Sequence, residues 1–123
     1  MIMIDDSSLL ISVFKILPDD IDFYVQAPSL EDETILNMMD NTGYAYYKLI
    51  KLDSLKKRFF INHLETHSAV QYFQNIEIKN GDTLLFQGFD GIEFGILSKN
   101  VKMPEWFKEK CIDTGDCTIS NDW

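Results

Sequence analysis

Residues 76–100 read IEIKNGDTLLFQGFDGIEFGILSKN, and this stretch decides the predicted fold. Three runs of β-forming residues are separated by the dipeptides Asn80-Gly81 and Asp90-Gly91. Both dipeptides favour tight hairpin turns, because glycine adopts a positive φ without steric cost. We therefore expect a three-stranded antiparallel meander with a turn at each dipeptide. Asp90 and Gly91 are predicted to form a two-residue connection between its last two strands.

The chain on either side of the meander alternates between helical and β-type patterns. Helices are predicted for SSLLISVFKIL (7–17), PSLEDETILNMMDNTG (28–43), SLKKRFFINHLETHSAVQYF (54–73, bent near Ser68) and MPEWFKEKCI (103–112), and strands for IDFYVQA (21–27) and YAYYKLIKL (44–52). The first segment also permits a strand, because it is rich in β-branched residues. The whole pattern predicts one α+β domain, residues 1–123, in which helices pack on one side of an antiparallel β-sheet.

Residue types at the ends of these segments predict where the helices begin and end. Asp6 or Ser7 is the expected cap of the first helix, which Pro18 should end, and Ser29 is the expected N-cap of the second. The acids at 31–33 then fall in the first turn of the second helix, where carboxylates interact favourably with the helix dipole. The expected packing residues of the third helix are Leu55, Phe59, Phe60 and Leu64.

Negative charge is concentrated in the first two-fifths of the chain. The net charge is -9; residues 1–47 hold nine acids and one base (-8), and residues 48–123 hold eleven acids and ten bases (-1). A negative surface repels nucleic acid and anionic membranes and attracts a basic protein. The alternative is a solvated acidic face that only maintains solubility. The predicted partner-binding residues are Asp19, Asp20, Asp22, Glu31, Asp32 and Glu33.

The sequence HLETH at residues 63–67 places two histidines four residues apart around a glutamate. On a helix, His63 and His67 lie on one face and could reach one zinc ion. The zinc-protease motifs place a glutamate directly beside a histidine, whereas Glu65 lies about 200° around a helix from His63. The flanks supply no clear third ligand, so we predict two surface or half-buried histidines, no metal, no cofactor and no catalytic residues.

Several other classes of protein are disfavoured by the sequence. A membrane-spanning helix needs an apolar run of about 18 residues, and a signal peptide needs basic residues before its apolar stretch. The chain has neither feature, and it opens with Asp5 and Asp6, so a cytoplasmic protein is expected. Cys111 and Cys117 are too few for a disulfide framework and do not have the spacing of a zinc-binding pair. They are expected to be free thiols, with a local disulfide as the alternative.

The stretch GFDGIEFGILSKNVKMPEWFKEKCI, residues 88–112, resembles the immunity proteins of bacterial contact-dependent growth inhibition and related polymorphic toxin systems. The small acidic α+β character of the whole chain fits the same group. The resemblance implies a protein that binds one cognate toxin domain, frequently a nuclease, and blocks its active site or its substrate surface. It carries over no catalytic and no contact residues.

Charge and resemblance together predict an immunity protein that neutralises a basic toxin domain through an acidic surface. Two other functions stay open. One is a small enzyme with a pocket around His63 and His67, and the other is a protein-binding adaptor domain.

Overall fold

The structure, a computed structural model, describes residues 8–44 and 46–123. The strands are β1 (Ile21–Gln26), β2 (Asp40–Asn41), β3 (Lys48–Leu52), β4 (Asn75–Asn80), β5 (Thr83–Phe89), β6 (Phe94–Leu97) and β7 (Cys117–Ile119). The helices are α1 (Ser8–Ile16), α2 (Glu33–Leu36), α3 (Ser54–Thr66) and α4 (Glu105–Phe107), with a 3-10 turn at Val70–Tyr72 and a π-helical turn at Lys108–Ile112.

The seven strands form one mixed sheet in the order β2-β3-β1-β4-β5-β6-β7. Neighbouring strands are antiparallel except β6 and β7, which are parallel. The predicted α+β class with a largely antiparallel sheet is confirmed. The meander β4-β5-β6 supplies three adjacent strands of that sheet, as the two glycine dipeptides indicate.

The helices pack on one face of the sheet, as predicted. Residues of β1 alternate between buried and partly exposed, so that Phe23 points into the core. Its ring lies 5.6 Å from Phe14 of α1 and 5.5 Å from Phe60 of α3. Burying a side chain of this size stabilises the fold by about 1.5–3 kcal/mol. The C-terminal helical turns lie on the same face. Their Cys111 forms a hydrogen bond with Ser12 of α1 through its thiol.

The two turns of the meander differ from the prediction in detail. The first connection is Gly81-Asp82, one residue later than expected, because Asn80 still pairs with Thr83. The second is a four-residue turn, 90–93, since Phe89 pairs with Phe94. The predicted two-residue connection at Asp90 and Gly91 is therefore wrong.

The first helix is confirmed, and its C-terminal end is held by a buried lysine. α1 ends at Ile16, two residues before Pro18, and its predicted caps, Asp6 and Ser7, lie outside the described residues. Lys57 of α3 donates hydrogen bonds to the carbonyl oxygens of Leu17 (2.8 Å) and Pro18 (3.2 Å). Burial lowers the pKa of the Lys57 amine, and the nearby carboxylate of Asp19 partly offsets this effect.

The second predicted helix is reduced to a single turn. α2 begins at Glu33 with Asp32 as its N-cap, so the predicted cap at Ser29 is wrong, and Glu31 precedes the helix. The chain leaves the helix at Asn37 and then pairs Asp40 with Leu49 of β3. Strand pairing thus replaces the later helical turns.

The third predicted helix is broken where expected and buries only part of its predicted face. α3 ends at Thr66, and the 3-10 turn follows. Phe60 and Leu64 are fully buried, but Leu55 is 73% exposed and Phe59 is 51% exposed. The prediction that Leu55 and Phe59 pack in the core is wrong. Buried Lys57 occupies part of the inward-facing surface instead.

No helix within residues 8–44 and 46–123 combines the length and the apolar composition that a membrane crossing requires.

Candidate functional site

The two histidines of HLETH contact each other at the C-terminal end of α3. Their rings stack with centroids 4.0 Å apart, and Nε2 of His63 lies 2.7 Å from Oδ2 of Asp32. Nδ1 of His67 lies 3.1 Å from the carbonyl oxygen of His63. Glu65 is exposed. In the part of the chain that the structure describes, no three His, Cys, Asp or Glu side chains are placed to hold a metal ion.

A cavity lies beside this histidine pair, but neither imidazole lines it. Its walls are Ser29, Leu30, Glu31, Asp32, Ser68 and Tyr72. The side chain of His63 is 10% exposed and faces Asp32. The contact between His63 and Asp32 therefore joins α3 to the start of α2.

Asp32 has two structural partners, so it is not a freely presented acid. Its Oδ1 accepts a hydrogen bond from the N–H of Ile35 (3.0 Å), which caps α2, while Oδ2 contacts His63. Burial raises the pKa of the Asp32 carboxyl, but the hydrogen bonds from His63 and Ile35 and the charges of His63 and His67 outweigh burial. The pKa is held below its ordinary value.

The substitution Asp32→Asn is expected to cost about 1.5–3 kcal/mol of stability near neutral pH, the range for a hydrogen bond to a charged group. Asparagine is an equally good N-cap, so the loss reports the contact with His63. Because the folded pKa is lowered, this stabilisation is present above the unfolded pKa, about 3.9. It disappears as the pH falls through the folded value. Denaturant unfolding of both proteins between about pH 6 and pH 2 measures the difference. A difference that does not change with pH would contradict the role of the carboxylate charge.

The first predicted acidic cluster, Asp19, Asp20 and Asp22, lies around the start of β1. Asp19 and Asp20 are exposed, and Oδ1 of Asp19 lies 3.7 Å from the amine of Lys57. Asp22 is partly buried and stands between Lys51 of β3 and Lys79 of β4 in the sheet register. Two carboxylates of this cluster, Asp19 and Asp20, are thus presented to solvent.

The second predicted acidic cluster, Glu31, Asp32 and Glu33, lies beyond the other end of β1. The carboxylates of Glu31 and Glu33 are exposed and have no hydrogen-bond or ion-pair partner among the described residues. β1, which is six residues and roughly 20 Å long at about 3.3 Å per residue, runs between Asp20 and the turn that leads to the second cluster. The structure therefore places the six acids in two patches and does not bring them together in one.

The two cysteines are buried free thiols, as predicted. Burial raises the pKa of Cys117 to about 12 and also raises that of Cys111. Because the thiolate is the reactive form, both groups are poor nucleophiles near neutral pH.

A group of tyrosines on the other face of the sheet was missed from sequence. Tyr24 of β1, Tyr44 and Tyr47 cluster there: Tyr44 stacks on Tyr47 at 5.0 Å and meets Tyr24 edge-on at 6.2 Å. The hydroxyl of Tyr44 donates to Glu77 of β4 (3.1 Å). This hydrogen bond and the charge of Glu77 raise the pKa of Tyr44. The available sequence signal is the aromatic residues of segment 21–27 and their alternation in segment 44–52, which indicate strands but not which face is covered.

We call the side of the sheet opposite the helices the uncovered face. Its side chains follow from the register of the paired strands. Across the central strands they are Tyr24, Asn75, Glu77, Lys79, Gln87, Phe89, Phe94 and Ile96.

Comparison of the chain with protein-family models, with curated proteins and with solved structures finds no match.

Proposed function

We propose that the protein is an immunity protein, acting in the cytoplasm, that binds and neutralises a bacterial toxin domain with a basic substrate surface. The observation that carries this proposal is the pair of exposed acidic patches, Asp19 with Asp20 and Glu31 with Glu33, at the two ends of β1. A nuclease must hold phosphates, so its substrate surface is basic. Acidic patches on an inhibitor raise the rate of association with such a surface by 10 to about 10³.

The distribution of charge within the fold supports a binding role. Of the six predicted acids, Asp19 and Asp32 contact a cation or an imidazole, namely the amine of Lys57 (3.7 Å) and Nε2 of His63 (2.7 Å). Glu31 and Glu33 have no such partner among the described residues, so their charge stabilises no contact shown in the fold. Unpaired like charges on one surface favour association with the opposite charge and slightly disfavour the compact state.

The double substitution Glu31→Lys with Glu33→Lys is expected to slow association with the cognate toxin domain about tenfold or more at low salt, because long-range attraction depends on summed charge. The candidate toxin domain is the product of the adjacent reading frame, since an immunity gene is expected beside its toxin gene. Stopped-flow association rates between about 20 and 500 mM salt measure the effect, and the two proteins should converge as salt rises.

A matched control separates local from total charge. Glu105 and Glu109 are both exposed near the C-terminal end, and their reversal to lysine changes the net charge by the same amount. We expect this control to slow association by about threefold or less. If both double variants slow association equally, the acidic patches act only through the overall charge of the protein. The absence of any complex between the wild-type protein and a basic toxin domain would refute the proposed function.

A further inference from the structure

The uncovered face has the composition of a protein interface. Its seven strands contain 33 residues, which at about 3.3 Å per residue and about 4.8 Å between strands give roughly 500 Å² of flat area before side-chain relief is counted. A standard interface buries about 800 Å² on each partner, so the strands supply more than half of that area and the bordering turns add to it. Its aromatic side chains, Tyr24, Tyr44, Tyr47, Phe89 and Phe94, belong to the types enriched in interfaces.

The tyrosine cluster already holds a cation. The amine of Lys79 lies 5.2 Å from the ring centroid of Tyr24 and 5.4 Å from that of Tyr44, within the range of a cation–π contact. The same amine lies 3.9 Å from Oε1 of Glu77. Tyr44 remains 44% exposed while it contributes to this arrangement. The ring of Tyr44 thus stacks on Tyr47 and contacts the Lys79 amine, and the rest of this side chain is exposed.

Tyr46 adopts a backbone conformation that is unfavourable for a residue with a side chain. The N–H of Tyr47 donates to the carbonyl of Tyr44 (2.8 Å), and Tyr46 lies in a turn just before Tyr47. Tyr46 has φ 68° and is 97% exposed. A positive φ at this turn position favours glycine, and strain in a non-glycine residue is concentrated at functional sites.

The charged groups on and around the uncovered face are acidic in sum. Asp22, Asp40 and Glu77 lie on the face, and Asp90 and Glu93 lie in the turn between β5 and β6, against the bases Lys51 and Lys79. Five acids and two bases give a surface complementary to a basic partner.

We propose that the uncovered face, centred on Tyr24, Tyr44 and Tyr46, is the surface on which the basic toxin domain docks, with basic side chains of the toxin facing the acids of this face. The inference rests on the proposed function for the identity of the partner. The acidic patches at the ends of β1 then accelerate encounter, and the tyrosines hold the complex.

Tyr46→Gly is expected to lower the affinity for the toxin domain without lowering the stability of the fold. Glycine relieves the positive φ, so the melting temperature is expected to equal or exceed that of the wild type. Affinity for the product of the adjacent reading frame is expected to fall about tenfold, mainly through faster dissociation. Tyr44→Ala, which removes the ring at the centre of the tyrosine cluster, is expected to weaken binding about 30-fold or more, the size of an interface hot spot. Surface plasmon resonance and thermal melts of each variant provide both readouts.

Exposed apolar residues on the helical side provide the matched controls. Leu55→Ala and Phe59→Ala remove side chains that are at least as exposed as Tyr44, and we expect binding to change by about threefold or less. In the complex, amide hydrogen exchange should slow at residues 44–47 and 90–93. Suppose that the toxin domain binds the wild type, that the helical-side variants lower its affinity and that the tyrosine variants do not. This inference is then wrong, and the proposed function stands. If Tyr46→Gly lowers the melting temperature together with affinity, Tyr46 is structural and the inference fails. If the wild type forms no complex, both proposals fail.

Discussion

Gly95→Ala is expected to lower the free energy of unfolding by about 3 kcal/mol or more, the upper range for overpacking of a core. A Cβ atom on Gly95 would lie 2.2 Å from Cζ and 2.5 Å from Cε1 of Phe86, and 3.0 Å from the carbonyl oxygen of Gln87. Phe86 is fully buried, so its ring cannot move aside into solvent. β5 and β6 are paired at this point, with Gly95 opposite Gly88, so the strands cannot separate without losing backbone hydrogen bonds. For a domain of this size we expect the melting temperature to fall by roughly 10 °C.

Two further variants assign the loss to this contact. Gly43→Ala adds the same methyl group where no atom lies within 4 Å, and is expected to change stability by less than about 0.5 kcal/mol. The double variant Gly95→Ala with Phe86→Leu should be more stable than the sum of the two single changes, because the smaller side chain makes room for the new methyl group. Additive single effects would show that Gly95 and Phe86 do not compete for the same space.

The meander could be predicted from sequence because its signal is local. The dipeptides Asn80-Gly81 and Asp90-Gly91 specify turns by backbone preference, and the three runs between them have no alternative partner nearer in sequence. The exact connections were not predictable, because they depend on pairing. Asn80 pairs with Thr83, and the turn at 90–93 is docked on residues 73 and 74 through backbone hydrogen bonds.

The second helix shows how a distant contact overrides local pattern. Segment 28–43 has a helical arrangement of apolar residues, but its residues 40 and 41 form β2 and pair with β3. In addition, Asp32 contacts His63, which lies 31 residues away in the sequence. The capping residue therefore shifts from Ser29 to Asp32. Both partners, β3 and the imidazole of His63, lie outside the 16 residues of this segment, so its local sequence cannot predict the contacts.

The two kinds of candidate site residue differ in the same way. Acidic clusters can be found from sequence because charge is a property of each residue. Which acids find a partner cannot, as the contacts of Asp19 with Lys57 and of Asp32 with His63 illustrate. Three separate parts of the chain meet on one face to form the tyrosine cluster. They are β1, β4 and the segment that precedes β3. The sequence identifies Tyr24 and Tyr44 as aromatic residues in or near strands, but only the sheet order places them together.

Gly91→Val is expected to cost about 2–4 kcal/mol, because it combines a strained backbone with a steric contact. Gly91 has φ 74° and lies between Asp90 (φ 52°) and Ile92 (φ 60°), so three successive residues adopt the left-handed region. The turn tolerates this strain because the side chain of Ile92 is buried and the N–H of Gly91 donates to the carbonyl of Phe73 (2.9 Å). A β-branched residue at Gly91 adds a further left-handed penalty.

The steric contact at Gly91 can be separated from the backbone strain. A Cβ atom on Gly91 would lie 3.3 Å from the carbonyl oxygen of Gln71, whereas one on Gly81, which has φ 61°, would meet no atom within 4 Å. Gly81→Val therefore carries the strain alone, and we expect it to cost about 1–2 kcal/mol, less than Gly91→Val. Denaturant unfolding of both variants measures the difference. Equal losses in the free energy of unfolding would show that the backbone at Gln71 moves aside without a measurable cost. A loss at Gly91 no larger than that of an ordinary surface substitution, roughly 0.5 kcal/mol, would contradict the left-handed turn itself.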